Sequence, residues 1–413
     1  MQANGCRICS GDLIPVLDLG VQPLSGVFPK PGETVETGPL ELMRCEACGL
    51  VQLAHDCPLS IWGESYGYRS GLNQSMVRHL KDVADHARQI ADLKPGDLVL
   101  DIGSNDGTLL GHFDDSLQRV GFDPLAEKFR EFTPPAVRTY DDFFSAEAMQ
   151  RAEGGVKAKV VTTIACFYDL AEPLQMVNDI LEVLADDGIW ISEQSYLPAM
   201  VKARSFDTIC HEHLEYYTVL DFEKICDLVG LKIIGVTFDN TNGGSFRVTM
   251  CRNGADFFQL TDLMDLYMSE SSWETIDALG DFAAWVPGFR DRLQGFFDIL
   301  PSPVYGYGAS TKGNVLLNYC NIGPAMLPMI ADVNPDKWGK VTPGSSIPIH
   351  SEATVKARMY READRDWAEE GVSRPMFMVL PWHFRDAIIK REMNFLCQGG
   401  VLWFPLPEHE FVY

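Results

Sequence analysis

The segment Val99-Leu100-Asp101-Ile102-Gly103-Ser104-Asn105-Asp106-Gly107-Thr108-Leu109-Leu110 constrains this chain more than any other. An apolar run ends in an acid and leads into a loop with glycines at 103 and 107, and an apolar helix is expected to open at Thr108. Glycine lets the backbone turn tightly and lets a ligand approach without a Cβ in the way. A second acid, Asp123, closes the next apolar run, Arg119-Val120-Gly121-Phe122, where its carboxylate can accept hydrogen bonds from a ribose. Strand, loop, helix, strand and acid in this order mark the nucleoside-binding edge of a doubly wound sheet. The spacing D-x-G-x-x-x-G lacks the third glycine of dinucleotide binders. Asp106 also places a carboxylate where a pyrophosphate would sit, which favours a ligand with a cationic amino-acid tail. Asp101, Gly103, Asn105, Gly107 and Asp123 are the candidate cofactor contacts. A plain strand-turn-helix without ligand is the competing reading.

The remaining organisation is read around that edge. At 413 residues, two or three domains are expected. The net charge of −24 repels phosphate backbones and anionic lipids, so neither nucleic acid nor membrane is an expected partner. No apolar run reaches the roughly 20 residues that span a bilayer, and no export signal opens the chain, so a cytoplasmic location is expected. Seven of the eleven cysteines occur singly, several in apolar contexts, which fits a reducing compartment.

The other four cysteines form two C-x-x-C pairs, Cys6-Arg7-Ile8-Cys9 and Cys45-Glu46-Ala47-Cys48. Matched pairs are knuckles whose four thiolates suit tetrahedral zinc, with redox thiols as the bland alternative. Four thiolates close the coordination shell, so the zinc is expected to be structural, folding a segment too short to build a good core alone. Cys57 lies close by, although a fifth ligand would be unusual.

Between Lys94 and Asn253 the chain alternates apolar strands with helical stretches, a βαβ rhythm. Strands are expected at Leu98–Ile102, Gln118–Phe122, Val137–Tyr140, Lys159–Ile164, Gly188–Ser192, Leu231–Phe238 and Ser245–Met250, the last two as an antiparallel hairpin. Asp142 and Phe143 follow the third strand, where an acid and an aromatic could read an adenine; surface and core roles explain them nearly as well. Upstream, Tyr66 and Tyr68 sit in the glycine-rich loop Glu64–Asn73, before a helix predicted over Ser75–Leu93. They form either an active-site lid or padding at a domain junction.

The densest polar cluster follows the fifth strand: Cys210-His211-Glu212-His213-Leu214-Glu215-Tyr216-Tyr217. A histidine near neutrality can remove a proton, and a neighbouring carboxylate can orient it. Metal binding and a solvated loop are the alternatives, with H-x-H alone supplying only two ligands. Asn242, in Asn240-Thr241-Asn242-Gly243-Gly244, lies in a turn that could approach a substrate, or in a wide hairpin.

Residues 255–298 read as helical, with Trp273, Phe282, Trp285, Phe289, Leu293 and Phe297 on one face. Val304-Tyr305-Gly306-Tyr307-Gly308-Ala309-Ser310-Thr311-Lys312-Gly313 then begins a second α/β unit. Amides at a helix start, with Ser310, Thr311 and Lys312, suit a phosphate, unless the glycines serve only the fold. An NAD site lacks its third glycine.

The first loop is similar to that of class I S-adenosylmethionine (SAM) methyltransferases. C-R-I-C…C-E-A-C-G, D-I-G-S-N-D-G, F-D-T-I-C-H-E-H, N-G-G-S-F-R and G-Y-G-A-S-T-K-G-N together resemble the SAM-dependent sugar C-methyltransferases of nucleotide-linked 4-keto-deoxysugars, nearest those acting at C3. The resemblance covers nearly the whole chain. It implies an α/β architecture of three parts: a zinc domain over 1–60, a doubly wound class I SAM-methyltransferase domain over 61–255 with its lid and helix at 61–93, and a helical bridge with a Rossmann-like domain over 256–413 that helps hold the nucleotide-diphosphate sugar. The cofactors implied are SAM and structural Zn²⁺. The x-E-H motif implies His213 as the base, with Glu212 beside it and His211 as neighbour. Two positions depart from the pattern. A tyrosine expected two residues before Glu212 is Cys210, and a histidine expected after the fourth strand is absent from Cys166-Phe167-Tyr168-Asp169. Tyr168, and Tyr216 or Tyr217, are the candidate replacements. An NAD-dependent nucleotide-sugar oxidoreductase and a non-catalytic SAM- or zinc-dependent interaction protein are the alternatives.

Overall fold

The computed structural model describes residues 5–63, 66, 68–275, 277–300, 303–362 and 374–413. Glu64, Ser65 and Gly67 of the aromatic loop lie outside them, as does the side chain of Trp273. Among the described residues the chain builds three sheets.

The first joins β1 (Leu13–Pro23), β2 (Thr37–Cys45) and β3 (Val51–Leu53) as an antiparallel meander, extended by β9 (Glu215–Tyr216). Leu17 and Leu19, and Leu40 and Leu42, are buried at alternate positions, the period of a pleated strand, while all three residues of β3 are buried. Its edge strand β9 comes from the middle of the chain.

The second sheet runs β10 (Leu231–Asp239), β11 (Ser245–Arg252), β8 (Leu184–Ser195), β7 (Ala158–Ile164), β4 (Leu98–Ile102), β5 (Gln118–Phe122), β6 (Arg138–Tyr140). Strands β8 to β6 are parallel, while β11 is antiparallel to β8 and β10 to β11. All five residues of β4 are buried, as expected of a central parallel strand covered on both faces. The strands stand where the sequence pattern predicts them, except that β8 is longer at both ends. Its early residues keep pairing with β7, Leu184 opposite Ala158. The order reverses at β4, so the Gly103 loop opens into the crevice at a topological switch point.

The helix expected to open at Thr108 does not form. Turns lead instead into a short 3₁₀ segment, Leu110–His112. The Asp106 carboxylate takes the Thr108 N–H and hydroxyl at 3.2 and 2.6 Å. Gly111 packs so closely on Pro134 that a Cβ would meet its ring at 2.8 Å. The preceding helix, Gln74–Ala91, is present. Asn73 caps it by accepting from Ser75 N at 3.0 Å, and Met76, Leu80, Val83, Ala84, Ala87 and Ala91 form its buried stripe.

The region predicted as one helical stretch over 255–298 is two helices, Met264–Thr275 and Ala278–Ile299, after an irregular segment. Phe282, Phe289 and Leu293 are buried, with Trp285 and Phe297 packed at their margin. The third sheet is β14 (Ile349–Ser351), β13 (Ile330–Asp332), β12 (Val304–Tyr307), β15 (Met376–Val379), β16 (Val401–Phe404), β17 (Glu410–Val412), parallel except for β17. The order reverses at β12, which places Gly308–Lys312 at a second switch point. No helix among the described residues is long and apolar enough to cross a membrane.

Candidate active site

A cavity of about 480 Å³ opens at the end of β4 and reaches the loops of the other two sheets. Asp101, Gly103, Asn105, Asp123, Asp142, Phe143, Tyr66 and Tyr68 line one part of it; Tyr168, Glu212, His213, Asn242, Ser310, Thr311 and Lys312 line the rest. Gly107, His211 and Tyr216 do not.

Gly103 and Gly107 both have φ near +75°, the left-handed region that glycine enters without strain. A Cβ on Gly103 would meet Cys166 at 3.0 Å, and one on Gly107 would meet Thr133 at 3.2 Å. The glycines therefore shape the turn itself. Asp123 accepts from Asn105 N and Leu125 N at 2.8 and 2.7 Å, one on each oxygen, which leaves a lone pair on each for a diol. Burial raises its pKa. Asp101 is buried deeper, accepts from the Thr162 hydroxyl at 2.6 Å, and has its pKa pushed by burial to about 7. Asp142 turns onto the Phe143 amide at 2.9 Å, and the Phe143 ring is half exposed at the rim.

Asp106 is engaged by the protein itself. Besides Thr108, its carboxylate takes the Gly71 N–H at 2.8 Å, while the Asn105 side chain takes Ser70 N at 2.9 Å. These side chains fasten the segment carrying Tyr68 to the ligand loop. Tyr66 is held by a bridge to Val27 and by its ring on Trp62, centroids 5.0 Å apart.

His213 is oriented by backbone. Its Nδ1 lies 3.1 Å from the Thr208 carbonyl oxygen. That oxygen can only accept, so Nδ1 carries the proton and Nε2 keeps its lone pair in the neutral ring. The Tyr168 ring stands edge-on to it at 4.3 Å. Burial first, and then the Lys312 charge, depress the His213 pKa to about 3. Glu212 points elsewhere: Ser25 Oγ donates to it at 3.3 Å, and it lies so close to Gly26 that a Cβ there would touch it. Burial raises the Glu212 pKa. His211 faces the first sheet, donating from Nε2 to Gly38 O at 3.2 Å, with Ser25 Oγ 3.4 Å from Nδ1. Tyr216 lies in β9 with its hydroxyl buried in that module, and Tyr217 stacks on Phe167 at 5.5 Å inside the second sheet's core.

From the third sheet, Lys312 crosses to donate to Asn242 O at 2.9 Å. It is buried, which lowers its pKa, and Asp207 opposes that shift. Ser310 caps the helix Thr311–Tyr319 by accepting Gly313 N at 3.0 Å, and Asp332 takes the Ala309 N–H at 2.7 Å. Ser310 and the Gly313 amide thus partner each other, and the Ala309 amide is taken by the end of β13.

The four knuckle cysteines converge, all their sulfurs within 4.8 Å of one another. Cys6–Cys48 and Cys9–Cys45 are 3.4 and 3.5 Å apart. Zinc–sulfur bonds of about 2.3 Å require tetrahedral edges of about 3.8 Å, so the cluster fits the ion after slight expansion. Gly11 leaves the sulfurs uncrowded, since a Cβ there would sit 3.2 Å from Cys45 Sγ. Cys57 is not among the converging sulfurs.

Sequence reasoning missed His79 and His383, which also line the cavity. His79 bridges Glu193, through Nε2, and Thr241, whose hydroxyl is 3.3 Å from Nδ1. Its signal was available: His79 falls on the apolar stripe of its helix, between Met76 and Leu80. Glu193 also pairs with Arg247 at 2.7 Å, so the buried network is closed by protein groups.

Three family models match the chain. Residues 6–61 match a zinc binding domain, 76–236 a methyltransferase domain and 240–407 a C-methyltransferase C-terminal domain. The chain is 28% identical to C-methyltransferase NovU of Streptomyces niveus over 98% of this chain and 95% of that protein. This chain belongs to the SAM-dependent C-methyltransferases. It is an enzyme that takes SAM as cofactor and zinc at its N-terminal thiolates. Among solved structures, the methyltransferase is similar to the plantazolicin methyltransferase BpumL in complex with a pentazolic desmethylPZN analog and SAH (11% identity, TM-score 0.36, 45% of this chain and 88% of that one). It is also similar to an O-methyltransferase family protein from Burkholderia thailandensis (16% identity, TM-score 0.34, 44% of this chain and 59% of that one).

Proposed function

We propose that this enzyme methylates C3 of a nucleotide-linked 4-keto-deoxysugar, with His213 as the base. The observation that supports this most directly is the fixed tautomer of His213 inside the cavity that also holds the Asp123 loop. SAM supplies an electrophilic methyl group on its sulfonium. The chain supplies the rest. A 4-ketone acidifies the C3 proton, His213 Nε2 accepts it, and donors near the keto oxygen stabilise the enolate charge. Tyr168 holds the imidazole edge-on. Lys312 meets the phosphates and offsets the field of an acidic protein. On this reading the chain divides at about residues 60 and 255, and the cavity is lined by groups of the second and third parts.

Mass spectrometry of products from a panel of nucleotide 4-keto-deoxysugars tests the proposal: a gain of one methyl group, located at C3, is expected. Methylation at another carbon or at oxygen, or no product across the panel, rejects it. In the cofactor part, Asp123→Ala weakens SAM binding by about 1–3 kcal/mol, the scale for losing hydrogen bonds to a charged acceptor. Titration calorimetry measures this, and unchanged affinity would remove Asp123 from the ribose.

A further inference from the structure

We propose that Arg7 is a positioning residue through which the zinc module holds His213 in place, so that the module is part of the catalytic machinery. The proposal rests on the reading of His213 as base. Arg7 sits between the thiolates Cys6 and Cys9, and its side chain is 3% exposed. One terminal nitrogen donates to Leu53 O at 3.0 Å and approaches Leu214 O at 3.4 Å. The other donates to His55 O at 2.9 Å and Asp56 at 3.0 Å. Its Nε lies 3.3 Å from Glu215 Oε1, a fully buried carboxylate. A single planar fork therefore ties the metal knuckle to the two residues that follow His213.

The backbone repeats the connection. Leu53 N donates to Leu214 O at 2.8 Å, and Leu214 N donates to Tyr168 O at 2.8 Å. Gln52 accepts Arg7 N at 2.9 Å and pairs with Glu215 across β3 and β9. The peptide after His213 is thus gripped from one side by the zinc module and from the other by the residue whose ring abuts the imidazole. A zinc domain that only folded itself would have no need of a strand taken from the catalytic segment, nor of a buried carboxylate on it facing the knuckle.

Two variants of the full-length protein, Arg7→Lys and Glu215→Gln, test this. Lysine keeps the charge and loses the fork. Glutamine keeps the shape and leaves Arg7 its Asp56 partner. The readouts are zinc per chain, SAM affinity, turnover of a nucleotide-linked 4-keto-deoxysugar, and the ring resonance of His213 in ¹³C-histidine-labelled protein. That signal is assigned among nine histidines by its loss in His213→Asn. Both variants are expected to hold one zinc and bind SAM within twofold of wild type, while the His213 resonance shifts or broadens and kcat falls at least tenfold. A resonance that moves with unchanged turnover upholds the positioning and rejects His213 as base. An unmoved resonance in both variants overturns the proposal. So does loss of zinc or of folding in both, because Arg7 then serves the metal site and not His213.

Discussion

Turnover of His213→Asn falls by about 10²–10⁴-fold, the range that positioned acid–base groups contribute, while SAM affinity stays within twofold. The two halves of that expectation come from different walls of the cavity, since His213 hangs from the Thr208 carbonyl and Asp123, the proposed ribose acid, is tied to the β4 loop. Proton removal can be watched apart from methyl transfer. In deuterium oxide, wild type washes deuterium into C3 wherever enolisation is reversible, and His213→Asn does not. His211→Asn is milder because that ring faces Gly38 and Ser25, away from the cavity. If His213→Asn keeps near-normal turnover while Tyr168→Phe or His211→Asn abolishes it, the base lies elsewhere.

The depressed pKa of His213 makes a further point about the same residue. A pKa of about 3 keeps the ring neutral at every pH where the enzyme is handled, and thus ready to accept a proton, although weakly basic. Part of that depression is the neighbouring Lys312 charge. Removing a positive neighbour favours the protonated imidazole, so Lys312→Met raises the His213 pKa, which an NMR titration of the ring measures. On the proposed function, a substrate phosphate set against Lys312 would act in the same direction on His213.

Local signals carried the architecture. β4 and β5 are legible because short runs rich in apolar residues each end at an acid and a turn, the pattern of parallel strands buried on both faces. The zinc knuckles are legible because two C-x-x-C pairs have few other uses. Orientation within the H-E-H segment is not legible. Three consecutive side chains take different partners: His211 reaches Gly38 and Ser25, Glu212 reaches Ser25 at the cavity wall, and His213 enters the cavity with Thr208 and Tyr168. Every one of those partners except Thr208 lies more than forty positions away in sequence, so no local pattern encodes them. The partners of Asp106 are illegible for a related reason. Thr108 is two residues on, but Gly71 arrives from another segment, and both donate to the Asp106 carboxylate. Nothing local marks Arg7, and only β9, paired across more than 160 positions, shows what it grips.

Cys45→Ser abolishes zinc binding and, with it, turnover. Cys45 is the most deeply buried of the four thiols, and serine neither binds zinc well as a neutral hydroxyl nor ionises there. Structural zinc stabilises isolated zinc-finger peptides by about 10–16 kcal/mol. Less than that is at stake here, because Leu17, Leu19, Leu40 and Leu42 share one core with the third sheet's Val304 and Phe377. That packing holds β1 and β2 in part when the metal leaves, while the knuckles and β3 loosen first. The loss then passes to β9, whose strand pairing among the described residues is with β3. Elemental analysis and hydrogen exchange measure both stages: zinc-free protein loses amide protection in residues 51–53 and 215–216, keeps it in β4, β5 and β7, and binds SAM with little change. Full protection of 215–216 in zinc-free protein would show that β9 does not depend on the metal. Retention of one zinc per chain in Cys45→Ser would take Cys45 out of the coordination shell altogether.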